Sequence, residues 1–197
     1  MTAVVGLATL SACVASDAGR LVEYQDGAGG VVAIDETSAG EVLSFDDIVL
    51  CKTGEGVVKI EKVELVEPTG ELTVVSFSVL PAGRGGQSLT HLTNPRQQLA
   101  DAGYPTTGPM IVDLVCPADD LDSHDGEAEG YSVLGLEVLS KGDAPGTARG
   151  VRVLYSSNGE NHAAVYPLGV VLCDDLYPNG PDGETNQDCV VEQLSSW

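Results

Sequence analysis

Basic residues are scarce in this chain: nine Lys and Arg stand against thirty Asp and Glu, a formal net charge of −21. That balance excludes a nucleic-acid surface and direct attraction to anionic lipid, both of which need clustered cations. Aromatic residues make up only 5% and the sole Trp is Trp197, so a core has to come from Val, Leu and Ile. No apolar run reaches the ~18 residues of a membrane-spanning helix. The cysteines form no C-x-x-C pair, and His91, His124 and His162 show no H-x-x-x-H spacing, which removes the usual zinc patterns. G-x-S-x-G, Walker and G-x-G-x-x-G motifs are missing too, and Gly83-Arg84-Gly85-Gly86 reads as a flexible turn. A hydrolase reading therefore has no motif behind it, and no catalytic residue is assigned.

What the chain does have begins at its first residues. Ala3 to Ala12 are almost wholly apolar or small and end in Leu10-Ser11-Ala12-Cys13, the way a bacterial lipoprotein signal closes. No Lys or Arg precedes Arg20, so residues 1–13 are read as a truncated signal whose true start lies upstream, with Cys13 as the lipidated residue. The competing reading makes Cys13 a buried cysteine in an N-terminal strand. Setting Cys13 aside leaves Cys51, Cys116, Cys173 and Cys189, an even number that suits two disulfides in an oxidising compartment. Three connectivities are open. The short, turn-rich stretch after Cys173 favours Cys173 with Cys189, leaving Cys51 with Cys116.

Residues 14–44 are Gly-, Ala- and Asp-rich and read as a tether, with Val31-Val32-Ala33-Ile34 as one edge strand. From residue 45 to 197 the pattern is that of a β-sandwich with an acidic C-terminal loop. Val58 and Ile60 share a parity that Val63 and Leu65 do not, so a bulge near Glu61-Lys62 is expected to return all four to the core. Leu72 to Leu80 alternates, with Val75, Phe77 and Val79 expected on one face and Ser76 and Ser78 on the other. Asn94 as N-cap, Pro95 at the first helical position and Gly103 as terminator predict one short connecting helix. Further strands are expected at Ile111 to Cys116, Tyr131 to Ser140, Val151 to Ser156 and Val165 to Cys173, with Asn158-Gly159 as a hairpin turn. Seven to nine short strands predict an all-β, immunoglobulin-like or related sandwich. The antibody-type Cys-Trp-Cys spacing is absent.

The run Gly150-Val151-Arg152-Val153-Leu154-Tyr155, then Asn158-Gly159 and a strand ending in Leu172-Cys173, resembles the C-terminal half of uncharacterised exported actinobacterial lipoprotein-like proteins with a similar lipobox. The likeness covers roughly residues 45 to 173 and rests on turns and strands. It implies a secreted or lipid-anchored β-sandwich with no assigned catalytic residues. The segment after Cys173 is longer and more acidic than that pattern.

Two acidic stretches carry candidate chemistry. Asp120, Asp122, Asp125 and Glu127 are the densest carboxylate group and the candidate calcium ligands, although His124 and Gly126 depart from the EF-hand spacing and a solvated loop is the favoured reading. Between Asp174 and Glu184, Tyr177 is the side chain suited to anchor a partner, although a plain surface loop is the favoured reading there too. Apart from calcium no cofactor is expected. The reading is an extracytoplasmic β-sandwich that binds an envelope protein or extracellular ligand, touching the membrane only through a lipid anchor. A calcium-stabilised adhesion module is the alternative.

Overall fold

The computed structural model describes residues 19–23, 30–34, 37–81, 92, 94–116, 132–142 and 146–173. They contain ten strands and no helix: β1 (Val31–Ile34), β2 (Val42–Leu50), β3 (Val58–Val66), β4 (Leu72–Leu80), β5 (Met110–Val112), β6 (Ser132–Ser140), β7 (Gly146–Ala148), β8 (Gly150–Ser157), β9 (Glu160–Tyr166) and β10 (Gly169–Leu172). Three sheets form, in the orders β2-β6-β4, β5-β3-β8-β9 and β1-β10-β7. All pairings are antiparallel except β1 with β10. A single hydrophobic cluster joins them, drawing Leu43, Phe45 and Ile48 from β2, Val58 and Ile60 from β3, Leu134 and Leu136 from β6, and Val151 and Val153 from β8. Leu21 and Ile34 close it from the N-terminal side.

Three of the strands carry one residue more than their partners oppose. In β3 the register against β8 shifts between Ile60 and Lys62, so Glu61 bulges outward and Val58, Ile60 and Val63 all reach the interior, as their spacing requires. In β4 the shift falls between Val74 and Ser76. Val75 is therefore 49% exposed, which corrects its expected place on the core face: the inward set is Leu72 and Val74 before the bulge, then Phe77 and Val79 after it. The third bulge lies in β2 between Phe45 and Ile48 and turns the Asp46 side chain away from the main core.

The expected helix at Asn94 to Gly103 does not form. Asn94 does cap the first turn, its Oδ1 accepting from the Arg96 amide at 2.9 Å. The next helical bond would run from the Leu99 amide to the Pro95 carbonyl. Both groups are taken by the sheet instead: Leu99 N–H donates to Glu137 Oε1 at 3.0 Å, and Pro95 O accepts from Ser44 N–H at 2.7 Å. What remains is two separate turns. The expected strand from Val165 to Cys173 is also divided, at Pro167, into the end of β9 and β10. The Asn158-Gly159 turn is a type I′ hairpin, with φ of 52° and 82° at its two central residues.

Candidate functional site

The long connection between β4 and β6 builds one surface of the molecule. Leu92, Leu99, Ala102 and Tyr104 lie on the outer face of the β2-β6-β4 sheet, packed against Val133 and Leu80. They cover the odd-numbered side of β6, while Leu134, Leu136 and Val138 fill the main core. Gly135 makes the close approach possible. A Cβ there would stand 2.6 Å from Leu99 Cδ2 and 2.8 Å from Tyr104 Cε1.

Sheet groups hold this cover at several points. Asp46, 4% exposed, accepts from Tyr104 Oη at 2.9 Å and from the Leu92 amide at 3.1 and 3.2 Å. Burial of a carboxylate is tolerable only with such donors. Burial, with Asp46 alongside, pushes the Tyr104 phenol well above its ordinary range, so it stays a donor at every physiological pH. Ser78 Oγ donates to Pro105 O at 2.6 Å, and Arg96 pairs with Glu41 at 2.7 Å. Between cover and sheet runs a groove of about 200 Å³ lined by Ser76, Gln98, Thr106 and Glu137 among others. That is below the ~300–1,000 Å³ of ordinary ligand pockets. Its principal acceptor, Glu137, already holds the Leu99 amide, so the groove is a seam of the fold.

The outer face of the four-stranded sheet is different. Its rows, read across β5, β3, β8 and β9, run Ile111–Lys59–Ser156–Asn161, then Lys62–Leu154–Ala163, then Glu64–Arg152–Val165. Ile111 and Val165 are 38% and 41% exposed, and Val57, just before β3, is 53% exposed. Lys59 and Lys62 lie 3.0 and 2.6 Å from Glu61 and Glu64. Hydrogen bonds from Lys59 and Ser156 hold the Glu61 carboxyl below the usual range, and Lys62 does the same for Glu64. Three cations and two anions thus alternate on a face whose chain carries −21 overall. Apolar side chains sit between them.

The sequence-predicted residues fall unevenly. Cys51 and Cys116 are bridged, with an S–S distance of 2.04 Å. The bridge pins the end of β2 to the segment after β5, where Lys52 N–H donates to Leu114 O at 3.0 Å and Lys52 O accepts from Cys116 N–H at 2.9 Å. Such a bridge fits an oxidising, extracytoplasmic compartment. Cys173, fully buried at the end of β10, is also disulfide-bonded. Cys13, Asp120, Asp122, Asp125, Glu127, Tyr177 and Cys189 lie outside the described residues. Among the described residues no group of three or more His, Cys, Asp and Glu could hold a metal ion. No helix among them is long and apolar enough to cross a membrane.

Sequence reasoning passed over Asp46, Tyr104 and Glu137, and the balanced charges on β3 and β8. A signal for Asp46 was present: Asp46-Asp47 interrupts the apolar stretch from Val42 to Leu50, as a bulge with one buried carboxylate would. Compared with known proteins, the chain matches no family model and no curated sequence.

Proposed function

We propose that the chain is an exported binding module, anchored through a lipid on Cys13 or released, that meets a protein of the cell envelope through the outer face of the β5-β3-β8-β9 sheet. The observation that carries this reading is the contrast between that face and the rest of the chain. Its charges alternate and nearly cancel, and Val57, Ile111 and Val165 are exposed between them, as the centre of an interface requires. The bridged cysteines support export. An immunoglobulin-like sandwich is the architecture we assign. The orders β2-β6-β4 and β3-β8-β9 correspond to strands B-E-D and C-F-G of such a domain, with β1, β5, β7 and β10 as additions. Pairing of Cys173 with Cys189 completes the picture and leaves Cys13 for the lipid.

The test is crosslinking in native envelopes followed by mass spectrometry, comparing the natural chain with Ile111→Glu and Lys62→Glu. A diacylglyceryl mass on Cys13, and a crosslinked envelope protein lost in both variants, is the expected result. Cys173 found bridged to Cys13, or crosslinks unchanged in both variants, overturns the reading.

A further inference from the structure

We infer that two copies of the chain join edge to edge through β9, as an antiparallel pair centred on His162. This goes beyond the binding reading above and stands on a different observation, the condition of the sheet edges. Natural sheets blunt their edges with very short strands, bulges, prolines or charged side chains. β1, β5 and β7 are three or four residues long. β2 and β4 are longer, but each is broken by a bulge, and β2 also carries the buried carboxylate of Asp46. β9 has neither bulge nor proline, and its one acid, Glu160, is its first residue. It runs seven residues in unbroken register with β8 and holds no Pro, Lys or Arg.

The hairpin geometry says which backbone groups face outward. Across a two-residue turn, Ser157 and Glu160 form a hydrogen-bonded pair, so the bonded positions of β9 are Glu160, His162, Ala164 and Tyr166. Asn161, Ala163 and Val165 alternate with them and turn N–H and C=O away from β8. Val165 N–H is taken by Glu23 Oε1 at 3.1 Å, which ends the open stretch. Asn161 and Ala163 remain, and two residues of this parity are what a symmetric antiparallel pairing uses. A two-fold axis at His162 sets Asn161 opposite the partner's Ala163, and Ala163 opposite the partner's Asn161. Each pair exchanges two N–H···O bonds, four in all.

Charge complementarity argues for a second copy as the occupant. In this register Glu160 faces the partner's Ala164, and no like charges stand directly opposite each other. Glu160 Oε2, already 3.9 Å from its own His162 Nε2, comes diagonal to the partner's His162, so acid meets imidazole on both sides of the axis. The side chains that β9 brings to the outer face, Asn161, Ala163 and Val165, are uncharged, and the row behind them holds the balanced cations and anions of β3 and β8. The chain can approach itself along this edge with less repulsion than its net charge of −21 would impose elsewhere. Salt, which screens that charge, strengthens the pair.

Sedimentation of the full chain over a concentration series, at low and at high salt, is the test. The natural chain should move from the 20.3 kDa monomer toward twice that mass as concentration rises, and do so at lower concentration in high salt. Ala163→Pro removes one outward N–H, and Ala163→Lys places a charge on the edge. Both should remain monomeric, with an unchanged melting temperature measured in dilute solution as the check on folding. A natural chain that stays monomeric throughout, or an Ala163→Lys variant that dimerises as the natural chain does, overturns the inference. A monomeric natural chain whose envelope crosslinks vanish with Ala163→Lys assigns the edge to a foreign strand and also overturns it. Loss of those crosslinks with Ile111→Glu while dimerisation persists leaves the pair standing apart from the partner face.

Discussion

Replacing Tyr104 by Phe separates two accounts of how the cover over the β2-β6-β4 sheet is held. If packing of Leu99 and the Tyr104 ring does the work, the substitution costs almost nothing, because the ring and its contacts with Leu99, Leu92 and Val133 remain. If the polar contacts matter, Asp46 loses its hydroxyl donor and keeps only the Leu92 amide, in a place where it is 4% exposed. A hydrogen bond to a charged acceptor contributes about 1.5–3 kcal/mol. Taking about 2 kcal/mol, and about 2–4 °C of melting temperature per kcal/mol in a domain of this size, the midpoint should fall by about 4–8 °C. Urea unfolding followed by circular dichroism should show the lower midpoint with the same slope. Asp46→Ala leaves two donors unpaired under the cover and should cost about 3 kcal/mol, while the double variant costs clearly less than the sum. The pH dependence gives a second handle. Burial and Asp46 raise the phenol above its unfolded value near ~10, so the folded chain holds a proton that the unfolded chain releases at high pH. Its contribution is complete below pH ~10 and falls with pH above that, by up to about 1.4 kcal/mol per pH unit. Tyr155, also raised by burial, adds a slope of the same sign that Tyr104→Phe leaves in place. A Tyr104→Phe variant within about 0.5 kcal/mol of the natural chain, with an unaltered alkaline limb, would refute the reasoning.

Gly135→Ala should be destabilised by about 1–3 kcal/mol in urea, because the new methyl overlaps Leu99 and Tyr104 and either the cover or β6 has to move. Cys51→Ser with Cys116→Ser should cost about 4 kcal/mol in the chain-entropy account, given a sequence separation of 65, and the same drop should follow reduction of that bridge alone. Gly159→Ala forces a methyl into a φ of 82° and should lower stability by about 1–2 kcal/mol, measured by thermal unfolding.

The parts of the fold legible in the sequence were those fixed by near neighbours. The bulge at Glu61 could be read because Val58, Ile60, Val63 and Leu65 change parity within one strand, and only an extra residue reconciles them. The Asn158-Gly159 turn could be read because few residue pairs accept two positive φ values in succession. The helix at Asn94 failed for the opposite reason. Its local signals were genuine, but Glu137 and Ser44, distant in sequence, offer the Leu99 amide and the Pro95 carbonyl partners fixed by the sheet. Val75 was misplaced because the alternation in Leu72 to Leu80 reads equally well without the bulge, and only the pairing with β6 reveals the shift. The balanced outer face escaped notice because its charges come from β3 and β8, some 90 residues apart in the chain, and their adjacency is a property of the pairing.

These features bear on where a partner can dock. The connection from β4 to β6 first covers the outer face of β2-β6-β4, then adds β5 to the edge of β3, and is tied back to the end of β2 by the Cys51–Cys116 bridge. The outer face of β6, the central strand of that sheet, is thereby covered, and β6 is buried along almost its whole length. The same connection widens the other sheet by one strand and extends its exposed surface with Ile111. Closing the first face required a buried carboxylate, a buried phenol and a glycine in contact with side chains. On the second sheet Lys59, Lys62 and Arg152 offset the acids around them, and the apolar side chains between those charges are left in water. On this sheet solvent-facing Val and Ile side chains sit among offset charges, while on the opposite sheet the odd-numbered side of β6 lies under the cover of Leu99 and Tyr104.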